Sequence, residues 1–214
     1  IVECVERLPI PDNVKADLLL VQSDLKKAIE LEISKQWAPH EQTQILSEEE
    51  VVQFKNVLER IGLQTLEPIR LKQLAREVTE GEEAPFLEYG KDAVRFYIAK
   101  DKANAEQLKY ADETHNDRLY GILSGFPATA IDAYVVNENK HKQQDSDNAL
   151  IIGRENLPNQ IKDQDSLAFG EFMFSKDYWR EELETVKRWA TQIQQADPML
   201  YARIVASYRS MIRQ

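Results

Sequence analysis

Asn116-Asp117-Arg118-Leu119-Tyr120-Gly121-Ile122-Leu123-Ser124-Gly125-Phe126-Pro127-Ala128-Thr129-Ala130-Ile131-Asp132-Ala133-Tyr134 reads as a helix, a corner and a second helix. Asn116 is a capping residue for a helix running through Leu123. Gly125 fits the left-handed position that ends such a helix, and Pro127 suits the first turn of the next. Gly121 lies inside the first helix, where glycine costs about 1 kcal/mol relative to alanine, so its presence points to a close backbone approach by another helix or by a ligand.

Upstream of this corner, Val14, Leu18, Val21, Leu25, Ile29 and Ile33 recur at helical spacing and predict one long amphipathic helix. Ser47 and Glu50 form a capping box for a second helix, with Val51, Phe54, Leu58 and Ile61 on one face and Gly62 as its stop. Pro68 then opens a third helix with Leu71, Leu74, Ala75 and Val78 inward. Thr79 to Asp92 reads as a loop, Val94 to Ala99 as a strand, and Lys100-Asp101 as the start of a helix reaching about Glu113.

Downstream, Asn137 to Ser166 is polar and broken only by Ala149-Leu150-Ile151-Ile152, so it reads as a long excursion carrying one short strand, a candidate lid. Ser175 or Asp177 caps a helix with Trp179, Leu183, Val186, Ala190 and Ile193 along one stripe and Trp189 beside it. Asp197-Pro198 opens a last helix with Leu200, Ile204, Tyr208 and Met211 at helical spacing, antiparallel to its predecessor. Phe96-Tyr97-Ile98-Ala99-Lys100-Asp101 echoes Phe172-Met173-Phe174-Ser175-Lys176-Asp177, which suggests that both segments lie in one sheet.

The expected fold is therefore α+β and mainly helical: about eight helices around a small two- to four-stranded sheet, built near Val94 to Ala99 and Leu167 to Phe174. The 214 residues are expected to form a single compact domain. A formal charge of -10 opposes binding to a phosphate backbone over the whole surface, so nucleic acid is not the expected partner. No apolar run approaches the roughly 18 residues of a membrane span, and no membrane association is expected. The single cysteine, Cys4, can form neither an internal disulfide nor a cysteine-based zinc site, which favours a reducing, cytoplasmic setting. The start at Ile1 rather than Met reads as a fragment of a longer product. Arg203, Arg209 and Arg213 fall in a terminal stretch without acidic residues, as suits a helix C-terminus.

The chemistry-bearing candidates cluster at Asp112-Glu113-Thr114-His115-Asn116-Asp117-Arg118. A histidine with nearby carboxylates is suited to general-base work or to a divalent metal, but an acidic turn with a capping Asn has the same composition, and the spacing matches no metal motif. No metal site and no cofactor is expected. His40 and His141 read as surface residues, and Gly-rich phosphate loops, Gly-x-Ser-x-Gly elbows and His-Glu-x-x-His pairs are absent. Tyr110, Tyr120, Tyr134, Phe126 and Trp37 read as core aromatics in preference to an aromatic pocket. A helix from Ser47 to Ile61 followed by one bearing Arg70, Lys72 and Arg76 also has the outline of a helix-turn-helix over residues 47–79, against which stand the long turn, Glu67 at its start and the acidic chain.

The string Asp117-Arg118-x-Tyr120-Gly121-x-Leu123-x-Gly125-Phe126-Pro127, followed by Ala130-Ile131-x-Ala133-Tyr134, resembles a segment of uncharacterised prokaryotic proteins, in some of which a Cys-Cys pair follows the proline. This chain has Ala128-Thr129-Ala130 there, so a thiol or metal role gains no support. The resemblance implies a prokaryotic cytosolic source and no particular activity.

Abundant packing signals without a recognised catalytic constellation favour a regulatory or protein-interaction domain. The alternative is a small-molecule-binding protein or enzyme with a pocket between the Gly-Phe-Pro corner and the excursion, using His115, Asp117, Arg118 and Tyr120. A deep pocket with convergent polar groups at that corner is what separates the second from the first.

Overall fold

A computed structural model describes residues 2–6, 8, 10–37, 47–73, 90–142 and 150–212. In chain order these form α1 (Val2–Glu6), α2 (Asp12–Gln22), β1 (Ala28–Trp37), α3 (Glu48–Arg60), β2 (Gln64–Thr65), β3 (Ile69–Gln73), β4 (Gly90–Ala99), α4 (Lys102–Glu113), α5 (Asp117–Leu123), α6 (Ala128–Lys142), β5 (Ile151–Ile152), α7 (Asn159–Lys162), β6 (Phe174–Ser175), α8 (Trp179–Ala196) and α9 (Pro198–Ile212). Short 3-10 turns occupy Arg154–Asn156 and Asp165–Phe169. The class is α+β and mainly helical, as the periodicities require. No helix among the described residues is long and apolar enough to cross a membrane.

Strand β4 is the axis of an antiparallel sheet. β1 pairs with it along its whole length, Ala28 opposite Ala99 and Trp37 opposite Gly90. β2 and β3 follow one another along its other edge, Gln64 opposite Ala99 and Ile69 opposite Arg95. Between them Pro68 lacks the N–H that a continuous ladder would need. Alternation then divides the side chains of β4 between two cores. Val94, Phe96 and Ile98 enter the main cluster with Phe54 and Leu58 of α3, Leu18 of α2 and Trp189 of α8. Tyr97 and Ala99 enter a smaller one with Ala105 and Leu108 of α4 and Leu123 of α5. At about 25 cal/mol per Å² of apolar surface, this two-sided burial is the main stabilising term of the sheet.

Several elements form where their sequence signals place them. Ser47 and Glu50 make a reciprocal capping box on α3, and Gly62 follows it at φ +78°. Asp101 caps α4 by accepting from Asn104 N–H. Asn116 caps α5 by accepting from Leu119 N–H. Gly125 takes φ +73°, and Pro127 stands immediately before α6. Leu183, Val186, Trp189, Ala190 and Ile193 of α8 are buried, as are Leu200, Ile204 and Tyr208 of α9, whereas Met211 is exposed. Asp197 Oδ1 accepts from the N–H groups of Met199 and Leu200, starting α9.

Other expectations are corrected. The long first helix ends at Gln22. Asp24 turns to φ 63°, and Ile29, Leu31 and Ile33 alternate with Glu30 and Glu32 in β1, a strand period that the i, i+4 pair Ile29 and Ile33 satisfies equally well. The third helix is instead β3, in which Ile69 and Leu71 alternate with Arg70 and Lys72. Its replacement removes the reading helix of the helix-turn-helix outline, and Arg70 pairs with Glu48 of α3. Leu74, Ala75, Arg76 and Val78 lie outside the described residues, as do His40 and the loop expected from Thr79 onward up to residue 89. Gly90, Lys91 and Asp92 belong to β4.

The polar excursion expected from Asn137 begins later, because α6 runs on to Lys142. Asn137 is buried, and its Oδ1 accepts from Leu150 N–H, which seats the expected strand, now β5. The segment after it is anchored by buried Leu157 and Leu167. The two echoing segments lie in different sheets, since among the described residues β6 pairs with β5 alone, and Leu167 sits in a 3-10 turn. Arg203 and Arg209 are tertiary partners: Arg203 binds Glu6 and Asp12, and Arg209 binds Asp165.

Candidate functional site

The site begins with the turn from α2 into β1. Asp24 in the left-handed region reverses the chain, and the N–H groups of Leu25 and Lys26 both donate to Leu20 O. Lys27 N–H donates to Leu123 O at 2.8 Å, so the turn is bound to the end of α5. Gly125 allows this approach, because a Cβ there would stand 2.3 Å from Leu25 O.

The turn drives Lys26 inward until its side chain is 3% exposed. Its Nζ lies 2.5 Å from Asp17 Oδ1 and 2.9 Å from Glu171 Oε2, and 4.8 Å from the centre of the Trp189 ring. Burial opposes the Lys26 charge, yet the two carboxylates outweigh it and raise its pKa. Burial pushes the Asp17 carboxyl up to about 7; Lys26 pulls it down and Glu171 adds to the rise. One ammonium thus stands between two carboxyl groups.

A second ionic cluster fills the space between the sheet and α4. Arg95 Nη1 donates to Asp112 Oδ2 at 2.8 Å and Nη2 to Glu32 Oε2 at 3.1 Å. Its buried Nε lies 3.0 Å from Glu30 Oε1, an ionic approach without the alignment of a hydrogen bond. Tyr97 OH donates to Asp112 at 2.6 Å, and Tyr120 OH reaches Glu30 Oε2 at 3.4 Å. Burial raises the Glu30 carboxyl, with Asp112 adding to the rise and Arg95 opposing it. The Tyr120 phenol is raised by burial and by the charges of Glu30 and Asp112, and Tyr97 is pushed up to about 12 by burial and its bond to Asp112. Both phenols therefore stay protonated donors at neutral pH.

These clusters open into one cleft of about 760 Å³ at the Gly-Phe-Pro corner. Its polar side carries Asp17, Lys26, Glu30, Asp112, Tyr120 and Glu171, and its apolar side Phe126, Ile131, Tyr134 and Phe172. The apolar side is stiff: Phe126 and Phe172 have ring centres 5.4 Å apart, and Phe172 meets Trp189 edge-on at 5.8 Å. A second cleft, of about 680 Å³, shares Asn13, Glu171, Phe172 and Met173 with the first.

Of the residues singled out in the sequence, Tyr120, His115 and Asp117 line the first cleft. His115 and Asp117 are exposed, and His115, in the turn just past α4, has φ 52°, a left-handed conformation in which a residue with a Cβ is strained. Arg118 is not brought to the site, because it pairs with Asp132 of α6. Of the aromatics expected in the core, Phe126 and Tyr120 are only partly buried against it and line the cleft together with Tyr134, and Tyr110 is 58% exposed. Asp17, Lys26, Glu30 and Glu171 had no local motif, since Lys26 and Glu171 are 145 residues apart. Only the charged alternation Glu30-x-Glu32 offered a signal. No group of three or more His, Cys, Asp or Glu among the described residues could hold a metal ion.

Compared with known proteins, the chain matches no family model, no curated protein and no solved structure.

Proposed function

We propose that this protein binds a small organic cation in the cleft at the Gly-Phe-Pro corner. The observation that carries the reading is the charge of the lining: Asp17, Glu30, Asp112, Asp117 and Glu171 against the single ammonium of Lys26. Arg95 compensates Glu30 and Asp112 only in part, because it also serves Glu32. A volume of about 760 Å³ suits a ligand of small-molecule size. An amine would meet carboxylates on one side, and its apolar body would lie against Phe126, Phe172 and Tyr134, where aromatic faces add cation–π attraction.

The test is calorimetric titration with benzylamine, benzyl alcohol and benzoate, three probes of similar shape and different charge. Benzylamine alone binds, and Glu30→Gln weakens it by about tenfold, the worth of a lost charge-assisted contact. Equal binding of benzoate, or no binding of the amine, rejects the reading.

A regulatory or protein-interaction role is the second reading, favoured by a shallow groove of about 420 Å³ outside the α4–α5 turn, where Tyr110 and Val135 lie beside Arg118 and Glu138. Its test is crosslinking from a photoreactive residue at Tyr110, where a specific protein adduct would favour this role.

A further inference from the structure

We propose that Asp17, Lys26 and Glu171 form a one-proton switch in the wall of the cleft, neutral while the two carboxyl groups share a proton and negative without it, and that the negative form receives the organic cation. The proposal rests on the cation reading above and names how that same site is regulated.

The geometry leaves one charge too many. Lys26 Nζ is within 2.9 Å of both carboxylates, and its side chain is 3% exposed, so one buried cation neutralises two anions only once. Two carboxylates on one site disfavour each other's ionisation, and low exposure strengthens the effect. Asp17 is the member that retains the proton: its side chain is 18% exposed against 30% for Glu171, and its carboxyl is pushed up to about 7 by burial.

Among the described residues that line the cleft Lys26 is the one permanent cation, and Arg95, behind Glu30 and Asp112, is taken up by those two carboxylates and Glu32. β1 presents Glu30, α4 presents Asp112, the α4–α5 turn presents His115, and α5 presents Asp117 and Tyr120. α8 contributes the Trp189 ring beneath the ammonium, and Arg203 of α9 is engaged by Glu6 and Asp12. A cation entering the cleft therefore takes the place of the missing countercharge, and the shared proton leaves to solvent. Binding and proton release are two sides of one equilibrium.

The experiment uses benzyltrimethylammonium, which has no titratable group. Its affinity is measured by calorimetry at about pH 5.5 and about pH 8.5. Because His115 faces the same cleft, the protein carries His115→Gln, with and without Asp17→Asn. We expect binding about three- to tenfold tighter at the higher pH, the effect of one extra charge several ångströms away in a partly screened cleft, and no pH dependence after Asp17→Asn. Equal affinity at both pH values, or a dependence that survives Asp17→Asn, overturns the switch and leaves the cation reading standing. Absence of binding at both values overturns both. Should Asp17→Asn fail to fold, carbon-13 titration of the Asp17 and Glu171 carboxyl groups in the unsubstituted chain takes its place. A midpoint near neutrality that saturating benzyltrimethylammonium lowers supports the switch, and one in the ordinary carboxylate range, or one the probe does not move, overturns it.

Discussion

Gly125 and Leu25 meet backbone to backbone: a Cβ on Gly125 would stand 2.3 Å from the Leu25 carbonyl oxygen and 3.4 Å from Lys26 Cα. The corner is thus the seat of the turn that carries Lys26. Gly125→Ala adds a backbone clash to the strain of a left-handed alanine, and we expect a loss of about 3 kcal/mol in urea denaturation. A loss below about 1 kcal/mol would show that the turn shifts freely and that the corner does not position Lys26.

Gly121 faces a side chain where Gly125 faces backbone. A Cβ on Gly121 would lie 2.8 Å from Ile131 Cγ1 in the buried contact between α5 and α6. Gly121→Ala gains about 1 kcal/mol of helix propensity and loses about 1–3 kcal/mol to overpacking, so the net change is destabilising. Ile131→Ala removes the opposing atom, and combining the two substitutions gives less destabilisation than their sum. Strict additivity in that double-mutant cycle would refute the contact.

Glu182 is 1% exposed and joins three elements: it accepts from Thr129 Oγ1 of α6 at 2.7 Å and from Ser175 N–H of β6 at 2.8 Å, while standing on α8. Ser175 Oγ in turn accepts from Tyr178 N–H in the turn that leads into α8; Tyr178 itself is the N-cap and among the described residues no side chain caps the helix, so neither Ser175 nor Asp177 plays the expected capping role. Glu182→Ala leaves a part-buried hydroxyl and a buried N–H without their acceptor, and we expect a loss of about 2–4 kcal/mol. Thermal unfolding followed by circular dichroism measures it, and an unchanged melting temperature would contradict the assignment.

Asp12 and Asp17, on the same helix, make opposite contributions to pH dependence. The hydrogen bond from Arg203 holds Asp12 below the usual carboxylate range, so its stabilising contribution is full above that range and is lost as pH falls through the lowered value. Asp17 is raised to about 7, so its contribution is full below the usual carboxylate range and is lost as pH rises through about 7. Stability curves from about pH 2 to 9 should therefore lose part of their acid limb in Arg203→Gln and part of their decline near neutrality in Asp17→Asn. Parallel curves for either variant and the parent would negate the corresponding pairing.

The corner was legible because each of its steps is local chemistry: a capping Asn116, a left-handed Gly125 and a Pro127 that starts a helix. The capping box of Ser47 and Glu50 and the stripes of α8 and α9 were readable for the same reason. β1 and β3 were not, because short runs such as Ile29 to Ile33 and Ile69 to Leu71 meet both helical and strand periods, and the long-range partner β4 decides between them. The site was half legible. His115, Asp117 and Tyr120 lie beside the corner in sequence, whereas Glu30, Lys26 and Glu171 reach the cleft through register and a turn. Arg118 was misplaced because helical phase alone does not say which neighbour, here Asp132, it will meet.

The pairing of Ala28 with Ala99 also dictates when the fold can exist on the ribosome. A nascent chain exposes Ile29 and Leu31 without their strand partner until about seventy further residues have emerged, and Asp12 waits for Arg203, 191 residues further along. Native packing of α2 and β1 is therefore a late event in synthesis, completed only after β4, α8 and α9 have followed them.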